Sequence, residues 1–201
     1  MSQPPNNPFN DDKPIREPFE HQPVSARVPE DVARAVFSTG QLVLDSPKEF
    51  VIDFLQGLTR PYQVGARVVI TPQTMAEFIG ALEANVNNYT KTFGPPPALP
   101  PQPPNQPRPT IQEIYENFKL PDDQLSGSYA NSILIGHSPT EFFFDFITSF
   151  YPTSAVSARV LIAAPHVPRF LNTLKTCLEQ YQQRYMKPPT PPQEPPAPNV
   201  G

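Results

Sequence analysis

Within EFFFDFITSF, residues 141–150, phenylalanine recurs at the alternate positions Phe142, Phe144 and Phe146. Alternation with period two is the mark of a strand with one buried face, so this stretch predicts a β-strand with an aromatic side turned to a core. The same spacing occurs at Phe50, Ile52 and Phe54. Each strand follows a serine-proline turn, Ser138-Pro139-Thr140-Glu141 or Ser46-Pro47-Lys48-Glu49, with serine and proline at the positions a type I turn prefers. Before the second turn lies a strand-prone run, SYANSILIG at residues 128–136. A third strand is predicted over ARVVIT (66–71) and again over ARVLIA (158–163).

The period then changes to that of a helix. After Thr71-Pro72, a cap and a proline at the first helical position, come Met75, Phe78, Ile79, Leu82, Val86 and Tyr89 on one face. After Pro165, Val167, Phe170, Leu171, Leu174, Leu178 and Tyr181 repeat the stripe. A shorter helix is expected over 111–119, with Thr110 and Glu113 spaced as a capping box and Ile111, Ile114, Tyr115 and Phe118 on one side.

One offset relates the two sets of elements. Aligning Ser46 with Ser138 gives 138 − 46 = 92, and the same shift pairs Pro29 with Pro121, Asp53 with Asp145, Arg67 with Arg159 and Tyr89 with Tyr181. A register held over that length predicts a tandem repeat. The fold expected is α+β: two βββα repeats pairing as a pseudo-dimer, with a continuous six-stranded antiparallel sheet and both long helices on one face. Pairing would enlarge cores that are small alone and relieve an open strand edge. The division expected is an arm (1–27), repeat one (28–93), a linker (94–109), the short helix (110–119), repeat two (120–186) and a tail (187–201). Proline-rich arm, linker and tail read as disordered or polyproline II.

The run YANSILIGHSPTEFFFDF, then ARVLIA and a helix ending in Glu179-Gln180-Tyr181, resembles a family of small bacterial proteins grouped as a domain of unknown function, DUF3467. Repeat two follows that family's pattern from Tyr129 to Tyr181; repeat one departs from it, with Phe37-Ser38-Thr39 in place of Tyr129-Ala130-Asn131 and Asp45 in place of His137. The resemblance implies the fold and no activity.

Composition narrows the function. The chain has 201 residues with 31 prolines, 8 glycines, no tryptophan and a net charge of −4. Its basic residues are scattered, so no stripe exists to neutralise phosphates and nucleic acid is not the expected partner. No apolar run approaches the roughly 20 residues of a membrane span, and the amino terminus lacks the features of a signal peptide, so no membrane association and a cytoplasmic location are expected. One cysteine, Cys177, excludes an internal disulfide, and His21, His137 and His166 have no ligand spacing; no metal and no cofactor are expected.

Strand parity assigns the faces. Opposite the predicted core floor stand Val51, Asp53, Leu55, Arg67 and Val69 in repeat one, and Phe143, Asp145, Ile147, Arg159 and Leu161 in repeat two. Asp53–Arg67 and Asp145–Arg159 are expected as structural cross-strand ion pairs of about 0.2–1 kcal/mol each. Arginine keeps a neighbouring aspartate ionised, which is unsuited to base catalysis at neutral pH. Around them Val51, Leu55, Val69, Phe143, Ile147 and Leu161 form a candidate interface, for an unknown protein partner or self-association, or for covering by the 111–119 helix or the tails. A non-catalytic protein-binding or assembly module is therefore expected. The alternatives are a carrier taking extended peptides at a sheet edge, and an enzyme using His137 and Ser138.

Overall fold

A computed structural model describes residues 26–100, 109–150 and 152–186. The expectations of disorder fall outside these residues for 1–25 of the arm, for 101–108 of the linker and for the tail; Arg27, placed in the arm by the sequence, instead forms a backbone bridge to Ala155. Repeat one contributes strands β1 (Val36–Ser38), β2 (Gly40–Asp45), β3 (Phe50–Gln56) and β4 (Gln63–Ile70), then helix α1 (Pro72–Phe93). Helix α2 (Ile111–Asn117) precedes repeat two, which supplies β5 (Ser128–Tyr129), β6 (Ser132–His137), β7 (Glu141–Thr148), β8 (Ala155–Ala163) and α3 (Val167–Tyr181).

The strands do not form the expected continuous six-stranded antiparallel sheet. They form two four-stranded sheets, ordered β2-β3-β4-β5 and β1-β8-β7-β6. Within each, three strands of one repeat run antiparallel, and the fourth is the first strand of the other repeat, paired parallel: β1 on β8, and β5 on β4. The exchange begins upstream, where the backbone of Arg27 bridges Ala155 and that of Lys119 bridges Gln63. All these pairs obey the 92-residue offset.

The physical reason lies at two corners. What reads as one strand, residues 128–136, bends at Ala130 and Asn131 to pass from one sheet into the other. The bend needs a small buried residue, filled by Ala130 and, in repeat one, by Ser38. The next side chain holds it: Asn131 accepts from Ser149 N–H at 2.8 Å, and Thr39 accepts from Gly57 N–H at 2.9 Å. Bent strands that switch sheets are a known way of turning a corner. Because α-helix and strand periods survive a corner, the alternation alone does not reveal it.

Left-handed residues stand just before each exchanged strand, Ala35 (φ 54°) and Gly127 (φ 67°), again equivalent by offset. A Cβ at residue 127 would also sit 2.9 Å from the Arg67 side chain. Gly127→Ala should therefore destabilise by about 1–2 kcal/mol, whereas Ala35→Gly should be neutral or stabilising, as denaturant titration would read.

The predicted floor residues are inside. Phe50, Ile52, Phe54, Phe142, Phe144, Phe146, Val68 and Ile70 join α1 and α3 in a single buried cluster drawn from both repeats. Phe78 of α1 packs edge-on to Phe144, Phe146 and Phe170, and Phe54 meets Phe146 at 5.5 Å between ring centres. Each long helix reaches into the other repeat. Tyr89 packs on Phe142 and donates its hydroxyl to the Pro139 carbonyl (2.8 Å); Tyr181 packs on Phe50 and donates to the Pro47 carbonyl (3.0 Å). The serine-proline turns thus close their own hairpins and anchor the opposite helix. Each tyrosine hydrogen bond should contribute about 0.5–1.5 kcal/mol, so Tyr89→Phe and Tyr181→Phe should lower stability by that much each.

The helices also meet at equivalent positions. Glu83 and Lys175 are separated by 175 − 83 = 92 residues and form an ion pair of 2.6 Å. Equivalent residues that touch lie at a pseudo-twofold axis. Two identical copies would place like charges there, and the duplicated chain has one of each sign.

Candidate binding surface

The Asp–Arg pairs form where strand parity places them, opposite each other in the β3–β4 and β7–β8 registers. Arg67 Nε and Nη2 donate to the two Asp53 carboxylate oxygens at 2.7 and 2.8 Å; Arg159 does the same to Asp145 at 2.6 and 2.7 Å. Both are bidentate, and the aspartates are buried, 0 % and 4 % exposed. The expected 0.2–1 kcal/mol applies to exposed pairs; a buried carboxylate stripped of its partner costs more. Hydrogen bonding to Asp53 raises Arg67 above its ordinary pKa, against an opposing effect of burial, and Asp145 does the same to Arg159.

Here the two faces diverge. Over Asp53 lies α2, its start fixed by the Thr110–Glu113 capping box. Tyr115 donates to Asp53 Oδ2 at 2.5 Å and accepts from Arg67 Nη2 at 3.0 Å. Arg67 Nη1 donates to the Leu125 carbonyl, and Phe118 stacks on Tyr62. Tyr115 is the residue whose role the sequence did not reveal: it appears there only as one apolar position of a short amphipathic helix.

Burial, with help from the Asp53 carboxylate, pushes the Tyr115 phenol up from its ordinary value near 10 to about 12. A group whose pKa is raised on folding stabilises the fold fully below its unfolded value and loses that contribution as pH rises through the folded one. The Tyr115 contribution should therefore be intact below pH 10 and vanish between about pH 10 and 12. Stability measured across that window should fall less steeply in Tyr115→Phe than in the native chain.

Over Asp145 no described element plays the part of α2. Leu134 is 54 % exposed and Phe143 37 %, where their equivalents Leu42 and Val51 are half-buried. Phe143 folds across Gly136, where a Cβ would lie 2.3 Å from its ring. Among the described residues the Arg159 side chain hydrogen-bonds only through Nε and Nη2 to Asp145. Of the predicted interface residues, Val51, Val69, Ile147 and Leu161 are half-buried, Leu55 is buried and Phe143 is exposed. They belong to two sheets, so the single surface expected from a continuous sheet is divided: Val51, Leu55 and Val69 on one side, Phe143, Ile147 and Leu161 on the other.

The remaining candidates make local contacts, although His137 Nδ1 is buried without a hydrogen-bond partner among the described residues. Ser138 Oγ donates to Glu141 at 2.7 Å and accepts from the N–H groups of Thr140 and Glu141, while Ser46 makes the matching bond to Glu49. His137 packs among Tyr89, Phe93 and Phe142. Asp145, the third member of a hydrolase arrangement, is held by Arg159. Cys177 is half-buried on α3, and burial, with the nearby Asp45 charge, raises its thiol pKa, which lowers thiolate reactivity. Among the described residues no helix is long and apolar enough to cross a membrane.

These features define a duplicated α+β protein with exchanged edge strands and two equivalent ion-pair faces, one covered by its own helix. Residues 1–96 and 100–187 each match the model of a family described as a protein of unknown function, DUF3467; the chain belongs to that family and carries its domain twice. No curated protein matches it.

Proposed function

We propose that the protein is a non-catalytic binding or assembly module of the cytoplasm, and that its working surface is the outer face of the β1-β8-β7-β6 sheet. The observation that carries this reading is the contrast between equivalent faces. One is closed by α2; the other presents Leu134 and Phe143 beside the Asp145–Arg159 pair. An apolar rim around a fixed polar centre suits a protein partner, which gains area from the former and orientation from the latter. The strand exchange lets β1 and β5 pair part of the otherwise open sides of β8 and β4, so strand addition, the other reading, is left to the outer strands β2 and β6.

The test replaces Phe143 by aspartate, a change at an exposed position. The variant should keep the native melting temperature within a few degrees while losing either the native mass in solution or the proteins retained from native cell extract. If both are unchanged, the surface is not the working one.

A further inference from the structure

The chain contains one ion-pair face with its occupant and an equivalent face without one among the described residues. From this we propose that the Asp145–Arg159 face receives an amphipathic helical segment of another protein, docked through a tyrosine whose hydroxyl bridges the pair as Tyr115 bridges Asp53 and Arg67. This rests on the binding-module reading and names the chemistry of the partner.

The two receptors match at the points that recognise the phenol. Both aspartates are buried and both arginines grip them through Nε and Nη2 with nearly the same lengths. At the covered face, Asp53 Oδ2 still accepts from Tyr115 while bound to Arg67. Asp145 Oδ2 has the same single arginine contact and hence the same capacity. Arg159 is also more open than Arg67, its side chain 28 % exposed against 15 %, so a donor remains within reach of an incoming hydroxyl. Beside the pair, the larger Phe143 replaces Val51, which widens the apolar shelf. Where Phe118 meets Tyr62 and Gly57, repeat two has Ser154 and Ser149, hydrogen-bonded to each other. The incoming helix should thus be apolar toward Phe143 and Leu134 and polar at the position of Phe118.

The chain itself is a poor source of this helix. No tyrosine precedes Tyr62, and the 92-residue offset puts Pro23 where Tyr115 stands. Proline there removes the hydroxyl and a helical N–H together. A second copy has its Tyr115 already committed to its own Asp53.

The probe is a labelled peptide of the α2 segment, PTIQEIYENFKLP (residues 109–121), carrying Phe118→Ser to meet the polar Ser149–Ser154 end, added to the full chain. Fluorescence anisotropy should show saturable binding, weakened about tenfold when the peptide tyrosine is replaced by phenylalanine, since a hydrogen bond to a charged group is lost. Leu134→Asp and Phe143→Asp should abolish it, and the exposed sites make loss of folding distinguishable by an unchanged melt. Absence of binding, or binding insensitive to both variants, overturns the proposal. So does binding that is insensitive to Leu134→Asp but strengthened by Tyr115→Phe in the chain, which would show exchange into the α2 site. Binding seen only after residues 1–25 are removed would name the arm as the occupant and also overturn it. Should the peptide fail while Phe143→Asp still alters native mass or retained proteins, this inference falls and the binding-module reading stands; should neither respond, both fall.

Discussion

Cut within residues 101–108 and coexpressed, the two halves should purify as one complex that melts cooperatively, whereas residues 1–100 alone should not melt as a folded monomer. Alone, repeat one keeps β2, β3, β4 and α1 but loses β5 from the edge of β4. Phe78 loses Phe144, Phe146 and Phe170, and Tyr89 loses both Phe142 and the Pro139 carbonyl. Truncating one buried phenylalanine typically costs about 3–5 kcal/mol, and a domain's whole stability is about 5–15 kcal/mol. Losing the partner rings from several at once exceeds what one repeat can retain. Self-pairing of the fragment would restore the exchange but set Glu83 against Glu83 in place of Lys175. Sedimentation and thermal circular dichroism over a range of concentrations would decide it. A monomer with a steep, concentration-independent transition would refute the shared core.

Asp53→Ala should destabilise the intact chain by about 3–5 kcal/mol, among the largest effects of any single substitution outside the aromatic cluster. The carboxylate receives three hydrogen bonds, two from Arg67 and one from Tyr115, at full burial. Its removal leaves the mostly buried guanidinium without its counter-charge and the α2 phenol without its acceptor. Asp145→Ala removes the same pair at a more open face, so about half that loss is expected, because water can solvate the orphaned Arg159. Urea titration of both variants would give the difference directly. A loss below about 1 kcal/mol for Asp53→Ala would mean the pair behaves as an exposed one.

Strand, turn and helix identities were legible because each rests on local periodicity or local hydrogen bonding. Phe142, Phe144 and Phe146 are buried as their alternation requires, and Thr110 and Glu113 form the capping box their spacing announces. The ion pairs were legible for the same reason: parity puts Asp53 and Arg67 on one surface of adjacent strands, whatever the rest of the fold does. Tyr115 was not, since its partners lie 62 and 48 residues away in sequence and no local pattern points to them. Nor was the exposure of Phe37 and Leu134: Phe37 lies on the exchanged strand β1, and Leu134 on a face that no described element covers.

By itself the sequence determined that there are two copies of one unit, which side of each strand is apolar, and where the helices begin. Tertiary structure decided which copy each edge strand serves, that Tyr89 and Tyr181 cross to the opposite turn, and that only one of two equivalent faces lies beneath α2. Periodicity records the direction in which a side chain points, and that is a property of a few neighbouring dihedral angles. The choice between pairing within a repeat and pairing across it depends on how two twisted sheets and two helices fill one core, with corners small enough at Ser38 and Ala130 to let the chain pass from sheet to sheet.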